Sequence, residues 1–139
     1  MAQREEQELM MRFQIYEQQI NQIQQQLKMI GENTEELNSL SLGLEELKDS
    51  DGKEIMASVG RGIFVKAKII SDELSVDIGG KNFVKKNVEE TRKLIKKQTD
   101  KLDELKQRLE ETLEGMNEEL TKLMIDAQNR QKEKKDVKD

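Results

Sequence analysis

The sequence contains no cysteine, no histidine, no proline and no tryptophan. Without cysteine and histidine there is no disulfide, no Cys/His zinc site, no Cys-His dyad and no Ser-His-Asp triad. Without proline, nothing removes a backbone donor from the interior of a long helix. Aromatic residues make up 3% of the chain and hydrophobic residues 34%, too little apolar mass for a thick globular core. No apolar run approaches the roughly 20 residues that span a bilayer, and residues 1–19 are too polar for a signal peptide. The reading is therefore a soluble, cytoplasmic chain with no membrane partner. A net charge of −5 gives no support to nucleic-acid binding. What is present, 38% charged residues around a sparse apolar set over 139 residues, suits one domain of thin amphipathic helices that bury a stripe each.

One stretch departs from helical spacing. Over residues 53–84 the apolar residues alternate: Ile55, Ala57 and Val59, then Ile63, Val65, Ala67 and Ile69, then Leu74, Val76 and Ile78. Period two with Val/Ile enrichment marks half-buried strands. Gly60-Arg61-Gly62, Ser71-Asp72-Glu73 and Gly79-Gly80-Lys81-Asn82 separate the runs with turn chemistry. The spacing predicts four short strands, roughly two β-hairpins.

On either side the apolar period is helical. From Leu9 the seam runs Phe13, Tyr16, Ile20, Ile23, Leu27 and Ile30 in alternating steps of four and three, continues through Thr34 and Leu37, and then shifts by one to Leu40, Leu44 and Leu47. This predicts a first helix over about residues 5–49, ended by Asp49-Ser50-Asp51-Gly52. The Gln-rich run over 14–26 reads as its solvated face. A second helix over about 85–129 opens at Asn87-Val88-Glu89-Glu90. Its stripe is Val88, Thr91, Ile95, Gln98, Leu102, Leu105, Leu109, Leu113, Met116, Leu120, Leu123 and Ala127. Residues 130–139, with one apolar residue, read as a disordered tail.

Charge selects how these helices pair. Residues 32–51 carry seven acids and one base, whereas residues 85–101 carry seven bases and three acids. An antiparallel hairpin within one chain lays acid against base, whereas a parallel pair of copies lays acid on acid. The predicted fold class is thus α+β: a long antiparallel coiled-coil hairpin with two β-hairpins between its helices.

Motifs that would carry chemistry fail on their spacing. Taking Gly52 as the sixth residue of a calcium loop puts Leu47 first and Ser58 twelfth, where an acid is needed. Gly79-Gly80-Lys81-Asn82 lacks the earlier glycine and the Ser/Thr of a P-loop, and Gly60-Arg61-Gly62 lacks a third glycine and a following helix. No catalytic residue, metal site or cofactor is predicted, and the chain does not read as an enzyme.

Two apolar sets remain. Short strands from one chain expose edges and bury little, so Ile55, Val59, Ile63, Phe64, Val65, Ile69, Val76 and Ile78 are predicted to associate with strands of other chains in an oligomeric β hub. At the chain ends, Leu9, Met10, Met11, Leu123, Met124 and Ile125 offer more apolar surface than one seam buries, with flexible methionines suited to adaptable contacts.

The order of elements, and the segments Glu54-Ile55-Met56-Ala57-Ser58-Val59-Gly60-Arg61-Gly62-Ile63-Phe64-Val65-Lys66-Ala67 and Val76-Asp77-Ile78-Gly79-Gly80-Lys81-Asn82-Phe83-Val84-Lys85-Lys86, resemble the archaeal alpha-class subunit of prefoldin. Two hairpins rather than one point to the alpha class, while Met56-Ala57-Ser58 stands where that family's pattern has a proline. The resemblance implies an ATP-independent holdase in which two alpha-class subunits form the hub with four beta-class subunits. Clients with exposed apolar surface would be held at the arm tips, by the chain-end set, and passed to a group II chaperonin. A structural filament assembled through the same strands is the alternative.

Overall fold

The computed structural model describes the backbone of residues 2–138 and the side chains of residues 3–133. Helix α1 (Ala2–Glu46) leads into strands β1 (Glu54–Gly60), β2 (Ile63–Lys68), β3 (Leu74–Asp77) and β4 (Phe83–Lys86), and helix α2 (Val88–Lys138) follows. The strands pair in chain order, β1 with β2 and β3 with β4, as two separate antiparallel hairpins. Two long helices with two β-hairpins between them are thus what the periodicities predict. The second hairpin extends to Lys86, two residues beyond the predicted end of the strand region.

The α1 seam is more regular than its leucines suggest. Leu9, Phe13, Tyr16, Ile20, Ile23, Leu27, Ile30, Thr34, Leu37, Ser41 and Leu44 are all buried or half-buried, in unbroken steps of four and three. The predicted shift to Leu40 does not occur; Leu40 is 51% exposed and Ser41 takes the seam position. A serine is tolerated there because Arg92 Nε donates to Ser41 Oγ at 3.2 Å while the Arg92 guanidinium meets Glu45 at 3.5 Å. On α2, Val88, Thr91 and Ile95 are buried, but Gln98 and Leu105, both assigned to the stripe from spacing, are exposed. Thr99 is half-buried instead of Gln98, and its hydroxyl donates to the Lys96 carbonyl at 2.9 Å, so no polar group is stranded.

The helix ends follow from local chemistry. After Glu46 the chain tightens into a turn, Asp49 adopts a left-handed φ of 58°, and the fully buried Ser50 hydroxyl donates to the Leu47 carbonyl at 2.6 Å. At the start of α2, Asn87 Oδ1 accepts the Glu90 N–H at 2.8 Å, a side-chain cap, with Glu89 and Glu90 placed where the helix dipole favours anions. At its other end α2 is helical through Lys138, so the predicted disordered tail is corrected over residues 130–138. Gln, Lys, Glu and Arg are strong helix formers, and no glycine or proline intervenes; the last residue of that predicted tail lies outside the described residues.

Contacts divide the chain into two units, one of the helix segments up to Glu32 and from Leu102, the other Asn33–Lys101. In the first, Ile23, Ile30 and Leu123 are buried, and the Arg130 guanidinium meets Glu5 at 3.6 Å. In the second, Leu44, Val88 and Ile95 form a core cluster against which Leu37, Leu47 and Leu74 pack, and Lys48 pairs with Glu89 at 3.2 Å. In each unit an early segment of one helix meets a late segment of the other, the antiparallel pairing that charge selects. These ion pairs are exposed, so each contributes about 0–1 kcal/mol and the apolar seam supplies most of the stability.

Candidate functional site

The first hairpin presents apolar residues on both faces. Its register sets Ile55 opposite Ala67 and Ala57 opposite Val65 on one face, with Met56 opposite Lys66 and Ser58 opposite Phe64 on the other. Arg61 (φ 51°) and Gly62 (φ 78°) form a two-residue turn with both central residues left-handed, the twist that suits a tight hairpin. Gly60 has a φ of 123°, a region open in practice to glycine alone, at an irregularity between Ser58 and Gly60. Beyond β2, the Ile69 N–H donates to the Lys53 carbonyl at 3.0 Å and the Gly52 N–H to the Ile69 carbonyl at 2.7 Å, prolonging the ladder.

The second hairpin is partly spent within the chain. Leu74, Val76, Val84 and Lys86 share one face and are half-buried, and Leu74 packs on the Leu44–Val88–Ile95 cluster. Its five-residue loop is organised by Asp77 Oδ1, which accepts the Gly79 N–H at 2.9 Å, and by the Ile78 N–H donating to the Asn82 carbonyl at 2.9 Å.

The eight residues assigned to association therefore fall into two groups. Ile55, Val59, Ile63, Phe64, Val65 and Ile78 are exposed. Ile69 and Val76 are half-buried, the first as a continuation of the ladder and the second beside Leu74. Met56 and Phe83, which sequence reasoning left out of the set, are exposed as well, and so is Ile70 at 91%. The adjacent pair Ile69-Ile70 puts apolar residues on both faces, and the structure half-buries the first and exposes the second.

The chain-end set divides in the same way. Met10, Met11, Met124 and Ile125 are exposed, whereas Leu123 is buried and Leu9 half-buried in the seam. Leu9, Met10, Ala127 and Arg130 line a groove of about 290 Å³. Leu9 and Ala127 thus line the same groove, and Leu123 lies one turn before Ala127 on α2. Among the described residues no group of acids has metal-binding geometry, and no helix is long and apolar enough to cross a membrane.

A helix–two-hairpin–helix chain that leaves apolar side chains uncovered on its strands has the makings of an assembly subunit. Residues 16–133 match the family model described as Prefoldin subunit, and the chain belongs to the prefoldin family. Within it the two hairpins and the sequence relatives mark the alpha class. The chain is 34% identical over 91 residues to a prefoldin subunit alpha of Methanobrevibacter smithii, an alignment covering 65% of this chain and 62% of that protein, less than two thirds of its length. It is 31% identical over 114 residues to prefoldin subunit alpha 1 of Methanocaldococcus jannaschii, covering 81% and 75% respectively. The fold is similar to a filamentous PFD of Methanocaldococcus jannaschii determined by cryo-electron microscopy, with a TM-score of 0.75, 21% identity, and coverage of 83% of this chain and 97% of that one.

Proposed function

We propose that this chain is a subunit of an ATP-independent holdase, assembling through its hairpins and capturing unfolded proteins at the helix ends. The observation that carries the reading is the exposure of Met10, Met11, Met124 and Ile125 next to the seam residues Leu9 and Leu123, with Met10 lining a groove. In this reading two such subunits join four beta-class subunits in a cytoplasmic hexamer, which passes clients to a group II chaperonin. At roughly 25 cal/mol per Å2, about 200 Å2 of apolar contact per subunit gives a few kcal/mol before ordering costs. One subunit therefore holds a client weakly, and several on one hub hold it through effective concentration, without nucleotide.

The test is suppression of aggregation of a chemically unfolded protein with ATP absent throughout. Changing Met10, Met11, Met124 and Ile125 together to Gln leaves the seam residues in place. That complex should keep its native mass and lose most of its protection; full protection by it sinks the tip assignment.

A filament is the second reading, favoured by the filamentous assembly of the similar solved structure. Native mass of this chain alone separates the two. A closed complex has one mass that depends on beta-class subunits, while a filament grows with concentration from this chain by itself.

A further inference from the structure

The chain has seven methionines and no cysteine, so thioethers are its only sulfur groups. Methionine is usually buried, and Met116, on the α2 seam, is half-buried. Met10, Met11, Met29, Met56 and Met124 are instead each more than half exposed. Met10, Met11 and Met124 all belong to the unit that holds the chain ends, and Met10 lines the groove closed by Leu9 and Ala127. The residues best suited to an adaptable apolar contact are also the ones an aqueous oxidant reaches first.

We infer that Met10, Met11 and Met124 form an oxidation site through which a peroxide switches client holding off. The inference rests on the proposed reading that this surface holds clients. A lone pair on the methionine Sδ attacks one oxygen of hydrogen peroxide. The S–O bond forms as the O–O bond breaks, and the departing hydroxide takes up the proton left by the transferred oxygen, giving water. Sulfur loses two electrons and the peroxide gains them. The product is a sulfoxide, a strong hydrogen-bond acceptor on a side chain that was apolar. A client's apolar surface has no donor to satisfy that oxygen, so the contact loses both its apolar area and its hydrogen-bond balance. Sulfoxide formation is reversible by methionine sulfoxide reductases, one for each sulfur epimer, so the change is a switch and not only damage. With no thiol in the chain to be oxidised first, the exposed thioethers are its first sulfur targets.

The experiment treats the assembled complex with hydrogen peroxide, maps sulfoxides by peptide mass spectrometry and then measures aggregation suppression. Met10, Met11 and Met124 should gain oxygen before Met116, native mass should stay unchanged, and protection should fall to less than half of the untreated value. Treatment with both reductases should restore it. Each variant is scored against its own untreated sample. The M10L/M11L/M124L complex should keep its own level after peroxide, whereas the M29L complex should remain as sensitive as the parent. The inference is overturned if the oxidised parent protects as before, if the triple variant loses as much as the parent, or if lost protection tracks a change of native mass. An untreated parent that fails to protect refutes the holdase reading itself, and that failure is visible before any peroxide is added.

Discussion

Alanine at Leu44 and at Leu40, made one at a time, discriminates between two registers of the α1 seam. Leu44 is 8% exposed and sits in the cluster with Val88 and Ile95. A Leu→Ala change in a packed core costs about 2–5 kcal/mol, the sum of lost transfer energy and a residual cavity. A two-helix seam relaxes more readily than a globular core, which places Leu44→Ala at about 2–3 kcal/mol within that range. Leu40 keeps about half of its surface in water and joins no cluster. Its truncation forfeits at most half of the roughly 1.5–3 kcal/mol that full burial confers, opens no cavity, and gains slightly in helix propensity. The expected cost is about 1 kcal/mol or less. Urea unfolding followed by helical circular dichroism, at matched protein concentration, reads the difference directly, because assembly makes apparent stability depend on concentration. Equal losses, or a larger loss for Leu40→Ala, refute the continuous seam and restore the shifted one.

Two further outcomes concern the hairpins. Val65→Asp puts a charge on the face shared with Ile55, Ala57 and Ala67, and should dissociate the assembly while leaving most of the helical signal; unchanged native mass in that variant removes the hairpin from the interface. Gly60→Ala forces an L side chain onto a φ of 123° and should destabilise the first hairpin by about 1 kcal/mol or more, seen as a lower midpoint of dissociation. An unaffected midpoint would indicate that the turn does not help to set the interface.

Much of the fold was legible because period is a strong signal. Seven apolar residues from Leu9 to Ile30 in alternating steps of four and three admit one helix face, and the alternation around Gly60-Arg61-Gly62 admits one hairpin. The errors have a common cause. Leu40 drew the seam away from Ser41 because leucine looks like core and serine does not; only the partner helix, through Arg92, reveals why serine serves there. Gln98 and Thr99 were exchanged for the same reason, since a hydroxyl bonded to its own helix is invisible in a spacing argument. The helix over 130–138 was missed because charge was read as disorder, although Lys, Glu and Gln favour helix without any packing. At the chain ends, composition identified the apolar set but could not separate Leu9 and Leu123, which the seam uses, from Met10, Met11, Met124 and Ile125, which it leaves open.

The two hairpins are not equivalent, and the difference follows from where each places its apolar face. The second turns Leu74 onto Leu44, Val88 and Ile95 and half-buries Val76 and Val84 beside it, completing the core where one helix ends and the other begins. No residue of β1 or β2 joins that cluster among the described residues, and Ile55, Met56, Phe64 and Val65 remain exposed across both faces of the first hairpin. An isolated two-stranded hairpin is marginal in water, so the ladder from Glu54 to Lys68 gains most from strands that another chain supplies. The helix seam does not cover it, since each helix spends its buried stripe on the other. The second hairpin therefore adds to the subunit's own core, whereas the first keeps its apolar residues exposed on both faces.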